Sequence, residues 1–159
     1  MTYLAERLAD LRRHLDHLEE LEPRITGAER LRADLSLHND VLYSLLRVCQ
    51  CVVDVAGELA SRRGLRFQDY TEAVRALTRI DAFPEELVER LAPLPGFRNV
   101  LVHEYVELDY GRVLRALEEL APVRRFVGIA ARLEARAGED GEPEPGGGDP
   151  EASPPEGVG

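Results

Sequence analysis

Leu4, Leu8, Leu11, Leu15 and Leu18 recur at alternating steps of four and three, the narrow apolar stripe of a helix lying nearly parallel to its neighbours. Glu22-Pro23 ends that stripe. Thr26-Gly27-Ala28-Glu29 then has capping-box spacing, in which hydroxyl and carboxylate satisfy each other's orphan amides at a helix start. A second, long helix is therefore expected from there to Gly64. Its apolar positions, including Leu31, Leu35, Leu45, Leu46, Val52, Val53 and Leu59, cover too wide a face for one neighbour, which predicts a central helix. A shorter helix is expected from Asp69 or Thr71 to about Asp81, and Pro84 opens another at a favourable first-turn position. Pro93 and Pro95 break that one, and the run Arg98 to Tyr105 follows on a helix of its own. Asp109 is expected to cap the last helix, whose apolar positions from Val113 to Leu133 continue across Pro122 with a kink. Nothing alternates with period two for long enough to make a strand, and no repeat is present, so the fold class is all-α.

Composition adds boundaries to this pattern. The chain has 159 residues, 44% of them hydrophobic, enough for one domain with a substantial core and too few for two. Past Ala137 the sequence turns to Gly, Pro, Glu and Asp with little to bury, so residues 1–137 are expected to fold and 138–159 to form a disordered acidic tail. That tail carries seven acids and no base. Subtracting the seven from the chain's 30 acids leaves 23 against 20 arginines, so the net charge of −10 falls to −3 in the folded part. Such a domain lacks the broad basic face that holds nucleic acid by phosphate neutralisation, and any RNA contact is expected to be local. All 20 basic residues are Arg, in keeping with a GC-rich coding bias. Cys49 and Cys51 lie two apart on one helix and cannot pair, so both are expected to be buried free thiols. The absence of a membrane-length apolar run or a leader pattern points to a cytoplasmic protein.

The run Arg98-Asn99-Val100-Leu101-Val102-His103-Glu104-Tyr105 concentrates the chemistry. Arg98 offers a permanently charged fork suited to phosphate oxygens, and His103 can take or give a proton near neutral pH. Together they suit transfer of a ribose 2′-hydroxyl onto its own phosphate, without a metal. Asn99 and His103, four apart, share a helix face, so the amide can orient the imidazole or bond a phosphate oxygen. Arg98 and His103 are about 140° apart around an ideal helix, a separation that two copies meeting across a two-fold axis would relieve. The blander reading has Arg98 pairing with Glu104 or Glu107 and His103 serving only a helix interface. Tyr105 can stack on a base or fill a groove. His14 and His17 are spaced for a metal but lack further ligands, and a solvated face is expected there. His38 is expected to be structural, and Asp54, interrupting an apolar run, needs a partner, for which Arg98 is a candidate. No glycine-rich phosphate loop, zinc spacing or nucleophile elbow is present, so no cofactor or metal is expected.

The same run resembles the Arg-x4-His-x-Tyr signature of the HEPN superfamily in its HepT toxin branch. The similarity extends to Leu45–Ala56, to Tyr70–Leu77 and to Asp109–Leu114, and so spans roughly Met1 to Ala137. The resemblance implies a HEPN-type helical bundle, a homodimer with the motif at its interface, and a ribonuclease toxin whose RNA-cleaving residues are Arg98 and His103, with Asn99 supporting. It also implies a partner, an MntA-like minimal nucleotidyltransferase antitoxin, that silences the toxin by transferring AMP to Tyr105. The alternative from another class is a catalytically inactive helical subunit that binds or regulates a nucleotidyltransferase.

Overall fold

The computed structural model describes residues 1–103 and 107–140, and among them every regular element is helical. α1 (Tyr3–Leu21) begins where the Thr2 hydroxyl accepts from the Ala5 N–H. Its five stripe leucines are all buried against α3 (Leu35–Arg62), the 28-residue central helix. α8 (Leu120–Asp140) packs along the other side of α1. α4 (Tyr70–Ala76) and α6 (Leu94–Val102) pack on α3, while α5 (Glu85–Leu91) bridges α4 and α8. The short α2 (Ala28–Ala33) joins α3 to α7 (Tyr110–Glu118). One contiguous core results, from Leu4 to Ala130.

Helix ends account for the departures from the sequence pattern. The expected single helix from Ala28 to Gly64 is two, because Asp34 adopts extended backbone and its carboxylate accepts from the Leu37 N–H at 3.1 Å, starting α3 afresh. Arg24 and Arg30, each 3.5 Å from Asp34, hold it there. Leu35, counted to the apolar face, is 71% exposed in that first turn. Nor does Thr26 cap α2: Gly27 holds the cap position at φ 157°, ψ −179°, with no side-chain cap bond, in a region that glycine alone reaches readily. The stop near Gly64 is as expected. At φ 69°, its N–H reaches the Ser61 carbonyl while that of Leu65 reaches Ala60, closing the helix in the Schellman pattern.

Asp69 and Asp109 cap α4 and α7 through their side chains. A one-turn 3-10 segment, Leu77–Arg79, completes the helix expected to end near Asp81, and Pro84 stands just outside α5 rather than in its first turn. Pro93 and Pro95 open α6 as well as separating it from α5. The kink expected at Pro122 is a full break at Glu119 instead. A proline ring clashes with the carbonyl four residues back, here Glu118, the last residue of α7, so Pro122 fits only the first turn of a new helix. α8 runs to Asp140, three residues past the expected domain edge, and the rest of the expected tail lies outside the described residues.

Candidate active site

Phe97 and Leu101 bury the inner face of α6 against the bundle, which leaves Arg98 half-buried on its flank, facing the middle of α3. There Arg98 Nε donates to Gln50 Oε1 at 2.6 Å and a terminal nitrogen donates to Asn99 Oδ1 at 3.0 Å. Its guanidinium carbon lies 5.8 Å from the centre of the Tyr70 ring. Both hydrogen-bond acceptors are neutral amides, so they fix the fork without cancelling its charge. Gln50 in turn donates to Asp54 Oδ1 at 2.7 Å, and Asp54 Oδ2 lies 3.9 Å from Arg7. Arg98 is therefore not the direct partner of Asp54; a glutamine stands between them, one helical turn from Asp54 on α3.

The helix expected to continue through Tyr105 stops at Val102, and His103 closes it at φ −99°, ψ 58°, with its N–H on the Asn99 carbonyl at 3.0 Å. Leu101 is the last buried residue of α6, and Val102 is 43% exposed. His103 is exposed at this end. Asn99 links it to Arg98: the Asn99 amide oxygen accepts from Arg98 and its backbone carbonyl accepts from His103. The oxygen of the Asn99 amide is thus committed to the guanidinium. Glu104 and Tyr105 lie outside the described residues.

Sequence reasoning missed a second polar cluster, between α1 and α3. His14, expected on a solvated face, is buried. Its Nδ1 is 3.1 Å from Ser44 Oγ, its Nε2 is 3.6 Å from Asp10 Oδ1, and its ring meets Tyr43 edge-on. Asp10 also accepts from Arg47 at 2.5 Å and lies 3.6 Å from the Cys51 thiol. The Arg47 hydrogen bond holds the Asp10 carboxyl below its ordinary range, while burial lowers His14. The Asp-His-Ser order resembles a nucleophilic triad, but Ser44 is 1% exposed and no substrate reaches it. The signal available was spacing: His14 follows Asp10 by one turn in the stripe between leucines. His17, by contrast, does face solvent, near Glu20 and Asp40. His38 has the structural role expected, with Nδ1 3.0 Å from the Tyr110 hydroxyl, tying α3 to α7. Both cysteines are buried and unpaired, and burial pushes Cys49 up to about 12 and Cys51 up to about 11. Among the described residues no group of three or more His, Cys, Asp or Glu could hold a metal, and no helix is long and apolar enough to cross a membrane.

Residues 11–128 match the family model described as ribonuclease HepT-like. The chain belongs to the HepT-like ribonuclease family. It is 32% identical over 110 residues to an Archaeoglobus fulgidus protein whose name proposes an RNase, covering 69% of this chain and 83% of that one. It is 29% identical over 113 residues to the tRNA nuclease HepT of Aphanizomenon flos-aquae, covering 70% and 75%. Its HepT-like bundle superposes with a TM-score of 0.70 on the tri-AMPylated Shewanella oneidensis HEPN toxin solved in complex with MNT antitoxin, at 20% identity, covering 85% of this chain and 99% of that one. The all-α HEPN fold expected from the helical pattern and the motif is thus the fold observed.

Proposed function

We propose that this HepT-like chain is a metal-independent endoribonuclease toxin that works as a homodimer and is silenced by an MntA-like minimal nucleotidyltransferase antitoxin through AMPylation of Tyr105. The observation that carries the reading is the set of partners around Arg98: a half-buried guanidinium fixed by Gln50 and Asn99, with its charge intact, on the short helix that His103 closes. The nuclease names of the relatives, and the AMPylated toxin–antitoxin complex of the fold neighbour, support it.

In this mechanism His103 removes the proton from a ribose 2′-hydroxyl, whose oxygen attacks the adjacent phosphorus. The bond from phosphorus to the 5′-oxygen breaks, and the second His103 or a water protonates that oxygen. Arg98 stabilises the extra negative charge gathering on the phosphoryl oxygens. The products are a 2′,3′-cyclic phosphate and a free 5′-hydroxyl. In silencing, the Tyr105 hydroxyl attacks the α-phosphorus of ATP and pyrophosphate leaves; the added phosphodiester charge then repels RNA phosphates.

The test is cleavage of RNA by the purified chain in EDTA with analysis of the ends. Cyclic phosphate ends are expected, and His103→Ala should reduce the rate by about a hundredfold or more without loss of helicity. Wild-type cleavage by His103→Ala would overturn the mechanism, and no cleavage by the wild-type dimer would favour the inactive-subunit alternative. With partner and ATP, mass should rise by one or more AMP units at Tyr105, and Tyr105→Phe should escape silencing.

A further inference from the structure

Gln50 and Asp54 sit one turn apart on α3, and the next turn brings Gly57 and Glu58 to the same side. Two other helices start beside them and each contributes a ring: Tyr3 of α1 and Tyr70 of α4, 51% and 47% exposed. With Phe67, the residues Asp54, Gly57, Glu58, Tyr3 and Tyr70 bound an open groove of about 400 Å³, and Gln50 stands just outside it. A guanidinium stands 5.8 Å from each tyrosine ring centre, Arg7 at Tyr3 and Arg98 at Tyr70. The two arginines are joined through Asp54 and Gln50. Gln50 and the Tyr70 ring thus connect the groove to the cation that the proposed ribonuclease mechanism places on the scissile phosphate.

Exposed aromatic rings beside a cationic site are the means by which proteins hold unstacked bases, since every base offers a π-face. Both Asp54 oxygens are already engaged, by Gln50 and by Arg7, so base choice falls to the Glu58 carboxylate, whose Oε1 accepts from Arg62 and whose two oxygens keep further lone pairs that can only accept. Such a group favours a base edge that presents donors side by side. Guanine does so, its ring N–H and exocyclic amino group matching the two oxygens of one carboxylate. Adenine and cytosine place an acceptor nitrogen beside their amino group, and uracil flanks its single N–H with carbonyls.

We propose that this groove is a guanine-binding subsite that seats one base next to the cleaved phosphate, with Tyr70 as stacking platform and the Glu58 carboxylate as the reading edge. The inference rests on the ribonuclease reading, and its test separates the two. Binding of 3′-GMP, 3′-AMP, 3′-CMP and 3′-UMP to the full chain is measured by calorimetry and by the tyrosine ring resonances, which requires no catalysis. 3′-GMP should bind about tenfold tighter than the others, and Tyr70→Ala should abolish that margin while Tyr70→Phe keeps it, as expected for loss of a stacked base. Gly57→Leu should also abolish it by projecting a side chain into the groove, where the added Cβ itself meets only the Phe67 ring, at an ordinary 3.5 Å. RNA oligonucleotides holding a single guanosine should be cut beside it. Selective 3′-GMP binding without any RNA cleavage would keep the subsite and overturn the nuclease reading. Cleavage with no base preference and equal binding of the four nucleotides would overturn the subsite alone. Dimerisation weakened by Tyr70→Ala with 3′-GMP affinity unchanged would identify a second copy as the occupant and overturn it too.

Discussion

Two arginines lie against the central helix in opposite circumstances. Arg47, on α3, reaches the Asp10 carboxylate of α1, in a cluster closed over by His14, Ser44 and Tyr43. Arg98, on α6, reaches the Gln50 amide of α3, and the nearest carboxylate on that path, Asp54, is one residue further along. The first pair is neutral overall and fastens two helices. The second has neutral amides as its hydrogen-bond acceptors among the described residues. A glutamine in place of an acid therefore separates the strut from what we propose to be an anion site, and the two histidines differ likewise: His14 is buried in the strut and His103 is exposed at the end of α6.

The largest effect should come from removing the charge. Arg98→Ala is expected to lower RNA cleavage by a hundredfold or so with little change in thermal unfolding, whereas a loss confined to stability would make Arg98 another strut. Gln50→Glu brings the comparison onto a single atom, since it gives Arg98 the carboxylate that Arg47 already has. A drop in cleavage of about tenfold together with a raised melting temperature is expected, from charge cancellation at close range; unchanged cleavage would show that the neutral partner is immaterial. Asp10→Asn tests the other member. It leaves Arg47 half-buried without its counter-ion and should cost about 1–3 kcal/mol in denaturant unfolding, while the cleavage rate per folded molecule stays at the wild-type level.

The smallest effect is in pH. Burial holds the His14 value below its ordinary 6.5, so the unfolded chain binds the proton more readily than the fold does. Asp10 opposes this, while Arg13, Arg47 and His17 reinforce it. Stability should therefore fall as pH drops below about 6.5, at no more than about 1.4 kcal/mol per pH unit. Asp10 has the complementary sign for a depressed acid: its contribution is present above about 3.8, the ordinary carboxyl value, and is lost as pH falls below it. His14→Gln should flatten the slope between pH 6.5 and 4 in thermal melts. An unchanged slope would place the responsible proton elsewhere.

The helices were legible from the sequence because each is driven by apolar periodicity, and the leucine stripe of α1 and the breadth of α3 translate directly into what they bury. The breaks at Asp34 and Glu119 were not, because periodicity runs straight through both. What ends those helices is local: an aspartate that caps better than it continues, and a proline that forbids the carbonyl four residues earlier. Arg98, Asn99 and His103 were found from residue chemistry and family resemblance, but their bonding was not. Gln50 is 48 residues from Arg98 in sequence, and no pattern in either segment announces that a side-chain amide will meet a guanidinium across a helix interface. The same applies to Ser44 and His14, 30 residues apart.

Ser44, Arg47, Gln50, Cys51, Asp54 and Glu58 lie along one side of α3, three or four residues apart or in adjacent places. They form a polar seam down a rod about 42 Å long at 1.5 Å per residue. Helices on either side read this seam, α1 through Asp10 and His14, α6 through Arg98. A change at 47 therefore alters what position 10 meets, and one at 50 alters what position 98 meets. Changes in this lineage should come most readily as matched pairs along the seam, with shifts in the proposed base preference written in its last two turns.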